Sequence, residues 1–147
     1  MPTFSFELPD ESATEKLGAR LAERLRPGDV VALQGELGAG KTTLARAILR
    51  AACGQPDLVV PSPTFTLTEV YETPRGPIWH FDLYRLEEPA QVFELGWEEA
   101  RSEGIVLVEW PERLGPLLPH HRLSVTLSID NGGRRALLDG EGRFADL

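Results

Sequence analysis

A lysine and a threonine placed just behind closely spaced glycines can grip a polyphosphate, and this chain carries them in Gly35-Glu36-Leu37-Gly38-Ala39-Gly40-Lys41-Thr42. The spacing fits G-x-x-x-x-G-K-[ST] with no mismatch. Phosphate oxygens need several donors at once, and backbone N–H groups supply them where no Cβ intervenes. Gly35, Gly38 and Gly40 let the chain curl with positive φ and bring its amides close. Gly38, Ala39, Gly40, Lys41, Thr42 and Thr43 are therefore the expected phosphate contacts. Lys41 would set a positive charge on the β- and γ-phosphates, and the Thr42 hydroxyl would bind Mg²⁺. The expected ligands are ATP or ADP with Mg²⁺. Adenine is favoured because the guanine-reading N-K-x-D is absent.

Splitting a phosphoanhydride also needs a carboxylate at the Mg²⁺ shell and a group that orients water. Two acids end apolar strands: Glu109 after Ile105–Val108, and Asp82 after Ile78–Phe81. Glu109 is expected to complete the metal site, directly or through water, and Asp82 to position water or share the metal. For each, the alternative is a strand-end carboxylate capping the next element. Thr64 sits in the proline-stiffened loop Pro61-Ser62-Pro63-Thr64, where it is either a γ-phosphate sensor in a switch loop or a turn residue. Arg85 can stabilise transition-state charge or pair with Asp82, and the pairing is favoured. His80 reads as a satisfied structural histidine, and Trp110 as core or as an exposed anchor for a partner. Asp130-Asn131-Gly132-Gly133 spells D-x-x-G, but it follows a hairpin strand far from the glycine loop and reads as a turn.

These residues require elements that hold them. Val30–Leu33 is a short apolar run before the glycine loop, and Leu44, Ala47, Ile48 and Ala51 follow it at helical spacing, with Gly54 placed to stop the helix. A phosphate at that helix start also gains from the helix dipole. Phe4–Leu8 alternates as a strand. Ser12-Ala13-Thr14-Glu15 looks like a capping box with Ser12 as N-cap, and Leu17, Leu21 and Leu25 form a helix stripe. Leu58–Val60 reads as a brief strand, Phe65–Tyr71 as another, and Thr73–Pro77 as a hairpin turn into Ile78–Phe81. Leu86–Glu103 reads as an interrupted helix with Pro89 near its start and Gly96 inside. Ile105–Val108 is apolar throughout, as in the centre of a parallel sheet. Leu123–Ile129 alternates, and Asn131-Gly132 turns the chain into Arg134–Leu138. The expected class is α/β: a three-layer P-loop NTPase-like fold with a mostly parallel central sheet and antiparallel hairpins at its edges.

The 147 residues are expected to form one domain, 1–147. Net charge is −8, from 15 basic and 23 acidic residues, and only Lys16 and Lys41 are lysines. Strong nucleic-acid binding rests on clustered Lys and Arg, so direct tight binding of RNA or DNA is disfavoured. The single Cys53 lies in an apolar helix and reads as a buried, inert thiol. No apolar run reaches a membrane span and no secretory signal is evident, so no membrane partner and a cytoplasmic location are expected.

Four stretches carry a family resemblance: Gly35–Thr43, Pro61-Ser62-Pro63-Thr64-Phe65-Thr66-Leu67, His80-Phe81-Asp82-Leu83-Tyr84-Arg85-Leu86 and Val108-Glu109-Trp110-Pro111. In this order and spacing the chain resembles the TsaE (YjeE) family of small bacterial P-loop ATPases from about Pro9 to Pro111. The resemblance implies a weak, partner-dependent ATPase that supports threonylcarbamoylation of adenosine 37 in tRNAs reading codons that begin with A. It implies a partner that is a heterodimer of actin-fold-like proteins, one of which transfers the threonylcarbamoyl group, with tRNA contacted only indirectly. It further implies that Thr42 and Glu109 lie at Mg²⁺, that residues 61–67 act as a switch, that Asp82, Glu109 and Trp110 are needed for function, and that Glu11 and Thr14 lie near the adenine. Two other readings stay open. One is a small-molecule kinase, for which Arg101, Arg113 and Arg122 can be enlisted although no lid pattern is visible. The other is a non-catalytic, nucleotide-gated binding module.

Overall fold

Strands that are apolar at every position must be covered on both faces, and Val30–Leu33 and Ile105–Val108 are completely buried. The computed structural model describes residues 3–62, 66–140 and 144. Its strands are β1 (Thr3–Leu8), β2 (Val30–Gln34), β3 (Thr68–Thr73), β4 (Gly76–Asp82), β5 (Ile105–Glu109), β6 (Leu123–Asp130) and β7 (Gly133–Gly140); its helices are α1 (Glu11–Arg24), α2 (Lys41–Cys53) and α3 (Trp97–Glu103). These seven strands form one sheet in the order β1-β7-β6-β2-β5-β4-β3. The central strands β6, β2, β5 and β4 run parallel, and antiparallel pairings lie to either side. The architecture is mixed α/β.

Period-two alternation splits the core in two. Val31, Leu33, Ile78, Ile105 and Leu107 pack with Leu17 and Leu21 of α1 and Leu44, Ile48 and Leu49 of α2. Val30, Ala32, Phe81, Val106 and Val108 pack on the opposite face with Trp97 and Ala100 of α3 and with Val92 and Leu114. Among the described residues no helix is long and apolar enough to cross a membrane.

Several sequence expectations are corrected. Asp10, not Ser12, caps α1: its carboxylate accepts from the Ala13 N–H at 2.9 Å, and Glu11 already opens the helix. An anion at that end meets both the free amides and the dipole. Residues 58–60 form no strand. Val59 is 79% exposed, and the Leu58 carbonyl accepts from Arg50 Nε at 2.9 Å instead of from a neighbouring strand. Of the strand expected at Phe65–Tyr71, Phe65 lies outside the described residues and the strand observed begins at Thr68, because Leu67 turns left-handed (φ 67°) and its carbonyl accepts from the Asp82 N–H at 3.0 Å. The interrupted helix resolves into a 3₁₀ segment, Pro89–Leu95, and α3, divided at left-handed Gly96. A second 3₁₀ segment, Pro111–Leu117, follows β5. Cys53 is half-buried, not buried; its Sγ donates to the Glu72 carbonyl at 3.8 Å, and desolvation pushes the thiol up, away from the reactive thiolate. Gly54 does close α2, with φ 65° and an N–H to the Ala51 carbonyl.

α1 packs tightly against α2 at Gly18, where an added Cβ would stand 2.5 Å from Ala47 Cβ. Gly18→Val should therefore cost roughly 1–3 kcal/mol through forced separation of the helices. A urea midpoint equal to that of the native chain would contradict this packing.

Candidate functional site

The sheet places its polar groups by the same alternation that builds its core. Ile78, His80 and Asp82 of β4, and Ile105, Leu107 and Glu109 of β5, point to the face that α2 covers. Apolar side chains fill the first positions, and the last ones, at the C-terminal ends of the strands, are titratable. The β4–β5 register sets Asp82 opposite Glu109, and the β2–β5 register sets Leu33 opposite Glu109. Since α2 starts just after β2, its first turn arrives beside these acids.

Thr42 Oγ1 donates to Glu109 Oε1 at 2.9 Å. The other oxygen, Glu109 Oε2, lies 2.7 Å from His80 Nε2. Glu109 is 2% exposed, His80 is fully buried, and His80 Nδ1 has no hydrogen-bond partner among the described residues. Asp82 accepts from the Tyr84 N–H at 3.1 Å and from Ser62 Oγ at 3.4 Å. Burial pushes the Asp82 carboxyl above its usual range, and the nearby Glu109 charge adds to this against those hydrogen bonds and His80.

Lys41 is buried at the head of α2. Its Nζ donates to the carbonyls of Gly35 and of Glu36, the latter at 3.0 Å, and stands 3.9 Å from the centre of the Trp110 ring. Desolvation lowers the Lys41 ammonium from its ordinary range, opposed by the charges of Glu109, Glu112, Asp82 and Glu36. Trp110 is held over Lys41 by a left-handed backbone (φ 60°, ψ 52°), rare for an aromatic residue, and by Tyr84, whose ring centroid is 4.9 Å away. The glycine loop has positive φ at Gly35 (144°), Gly38 (81°) and Gly40 (106°). At Gly35 a Cβ would also stand 2.4 Å from the Leu127 carbonyl oxygen, so glycine alone fits there.

A cleft of about 630 Å³ collects these groups. It is lined by Gly38, Ala39, Gly40, Lys41, Thr42 and Thr43 of the loop and α2, by Asp82 and Glu109, and by Glu11 and Thr14. Arg85 and Trp110 line it as well. Thr64 lies outside the described residues. The Asp130–Gly133 turn, expected far from the glycine loop, is beside it: Gly132, Gly133 and Arg134 wall the same cleft. No signal in the sequence could show this, because the contact comes from β6 pairing with β2. His80 was legible in principle. It stands two residues before Asp82 in a strand and so shares its face, but alternation with Phe81 equally suits a structural histidine.

Among the described residues no three His, Cys, Asp or Glu side chains converge as a closed metal site. The donors present, a threonine hydroxyl and carboxylates at a helix start, are hard oxygens. Such a set suits Mg²⁺, which keeps several waters and takes few protein ligands beside substrate phosphates. Buried carboxylates whose charge is poorly matched supply the electrostatic reason to bind a cation there.

Asp82 destabilises the fold when ionised, because a carboxyl with a raised native pKa binds its proton more tightly folded than unfolded. Stability from this group is present in acid and lost as pH rises through the native value. Asp82→Asn keeps an acceptor for the Tyr84 N–H and removes the charge. Its melting temperature should exceed that of the native chain by a few degrees at neutral pH, and the gain should vanish near about pH 3, below the ordinary carboxylate range. An equal gain at both pH values would show that charge is not the cause.

Comparison with known proteins agrees with the four sequence stretches. The family described as "Threonylcarbamoyl adenosine biosynthesis protein TsaE" matches residues 8–137. The tRNA threonylcarbamoyladenosine biosynthesis protein TsaE of Rickettsia felis is 41% identical over 128 residues, covering 87% of this chain and 74% of the relative. The protein of that name from Rickettsia typhi is 39% identical over 141 residues, covering 95% and 97%. The one from Nostoc is 42% identical over 135 residues, covering 88% and 81%. The crystal structure of YdiB from Bacillus subtilis superposes with a TM-score of 0.76 at 26% identity, covering 95% of this chain and 86% of that one. With the match running from β1 into β7 and relatives near 40% identity over most of its length, this chain belongs to the TsaE family.

Proposed function

We propose that this protein binds and hydrolyses ATP with Mg²⁺ as an accessory factor in forming the threonylcarbamoyl group on adenosine 37 of tRNAs that read A-starting codons. The observation that carries the reading is the 2.9 Å contact of Thr42 with Glu109 at the start of a helix entered through a glycine loop. A helix start with free amides, a buried lysine and a hydroxyl–carboxylate pair meets the three needs of a Mg²⁺-bound triphosphate: backbone donors, a cation, and oxygen ligands for the metal. In this reading the fold is the three-layer P-loop NTPase type, with α1 and α2 on one face of the sheet and α3 on the other.

The roles follow from position. Amides of residues 38–43 hold the phosphates, and Lys41 exchanges its carbonyl partners for the β- and γ-phosphate oxygens. Thr42 and Glu109 hold Mg²⁺, which supplies charge neutralisation at those oxygens. Asp82 orients a water for in-line attack on the γ-phosphorus, and its raised pKa suits it to take the proton as the bond to the β–γ bridging oxygen breaks. Glu11 and Thr14, which line the same cleft, face the nucleoside.

The partner is a heterodimer of actin-fold-like threonylcarbamoyl-transferase subunits, engaged according to the nucleotide bound, in the cytoplasm. A net charge of −8 supports leaving the tRNA to that partner.

Lys41→Ala should lower partner-stimulated phosphate release by about 10²–10³-fold, since it removes a preorganised charge from the transferring group. Glu109→Gln should weaken Mg²⁺-dependent nucleotide binding seen by calorimetry. Phosphate release by Lys41→Ala at the native rate, with both partners and tRNA present, would refute the ATPase. Labelled γ-phosphate appearing on a metabolite and not in water would indicate a kinase instead.

A further inference from the structure

His80 is a buried titratable side chain that the reading above leaves without a task. It sits on β4, between edge strand β3 and β5, flanked along the strand by Trp79 and Phe81, with no exposure. Burying an imidazole with one nitrogen unpartnered among the described residues is costly, and a leucine or phenylalanine would be buried there at lower cost. Among the described residues its hydrogen-bond contact is with Glu109 Oε2, at 2.7 Å. Two acceptors at that distance would repel, so Nε2 carries the hydrogen and donates it.

The consequence is geometric. Glu109 has two oxygens, and His80 occupies one from beneath, on the sheet side. The carboxylate can then rotate little about its last bond, and the other oxygen, Oε1, faces the Thr42 hydroxyl at the helix start. The imidazole itself is held by β-sheet pairing on both sides, Glu69 of β3 and Leu107 of β5 being its cross-strand neighbours. An aim set by a strand interior is firmer than one set by a loop.

We infer that His80 is a positioning residue: it pins Glu109 Oε2 so that Oε1 and Thr42 Oγ1 form a preorganised pair of Mg²⁺ ligands. The inference rests on the nucleotide and Mg²⁺ reading above. His80 touches neither nucleotide nor metal. It acts through Glu109 as an outer-shell hydrogen bond acts on a ligating carboxylate.

Calorimetric titration of the full chain with a non-hydrolysable ATP analogue, with and without Mg²⁺, separates the possibilities. His80→Phe should reduce the affinity gained from Mg²⁺ by roughly tenfold or more while leaving metal-free affinity within about twofold. His80→Gln, whose amide nitrogen can reach the Nε2 position, should restore most of the gain. A purely structural histidine would lower both affinities together, and that result overturns the inference, as does a native Mg²⁺ gain in His80→Phe. If His80→Phe does not fold, ¹⁵N spectra of the native imidazole decide: hydrogen on Nε2 supports the donor role, and a bare Nε2 overturns it. A native chain that binds no analogue under any condition would instead refute the nucleotide reading itself.

Discussion

The parallel pairing of β2 with β5 is the constraint on which this molecule turns. Leu33 stands opposite Glu109, and the chain leaving β2 must re-enter as α2 within a glycine-rich turn. Those two facts deliver a carboxylate and a threonine hydroxyl to one point without help from any long loop. A slip of one residue in β5 would send Glu109 to the opposite face and bring an apolar neighbour under α2. The fully apolar sequences of the two strands make such a slip cheap for packing alone. It is the alternation ending in His80, Asp82 and Glu109 that makes one register distinct.

The same arrangement stores unfavourable electrostatics. An acid is raised and a base lowered within one cleft, each chiefly by loss of water. Those costs are sustained by the apolar clusters on both faces of the sheet, not by the site's own contacts. Left-handed Trp110 belongs to the same pattern: a strained backbone at the end of β5 keeps an aromatic ring over an ammonium group. Stability and site geometry thus reside in different parts of the chain.

Much of this was legible in residues read one stretch at a time. The glycine loop, its flanking strand and helix, the buried β5, the hairpin turn at Asn131-Gly132 and both strand-end acids are local patterns with local causes. What escaped reading depended on long-range pairing. The β6–β7 turn reaches the glycine loop because β6 lies beside β2, and the mutual approach of Gly35 and the Leu127 carbonyl has no trace in either segment alone. Asp10 and Ser12 compete as caps within two residues of each other, and only the backbone geometry at Asp10 separates them. Leu58–Val60 has strand composition, yet the carbonyl at Leu58 is satisfied by a side chain from α2. His80 shows the limit most clearly, since composition cannot tell a histidine that fills space from one that aims a neighbour.

The lysine at the head of α2 is already solvated by its own protein. Two peptide oxygens and an indole face stand in for water around Nζ. An arriving anion therefore trades against existing partners, and the net attraction is a difference between two sets of interactions. A bare buried ammonium would hold its guest far more tightly and release it slowly. Self-solvation of this kind tempers retention of any anion that enters the cleft.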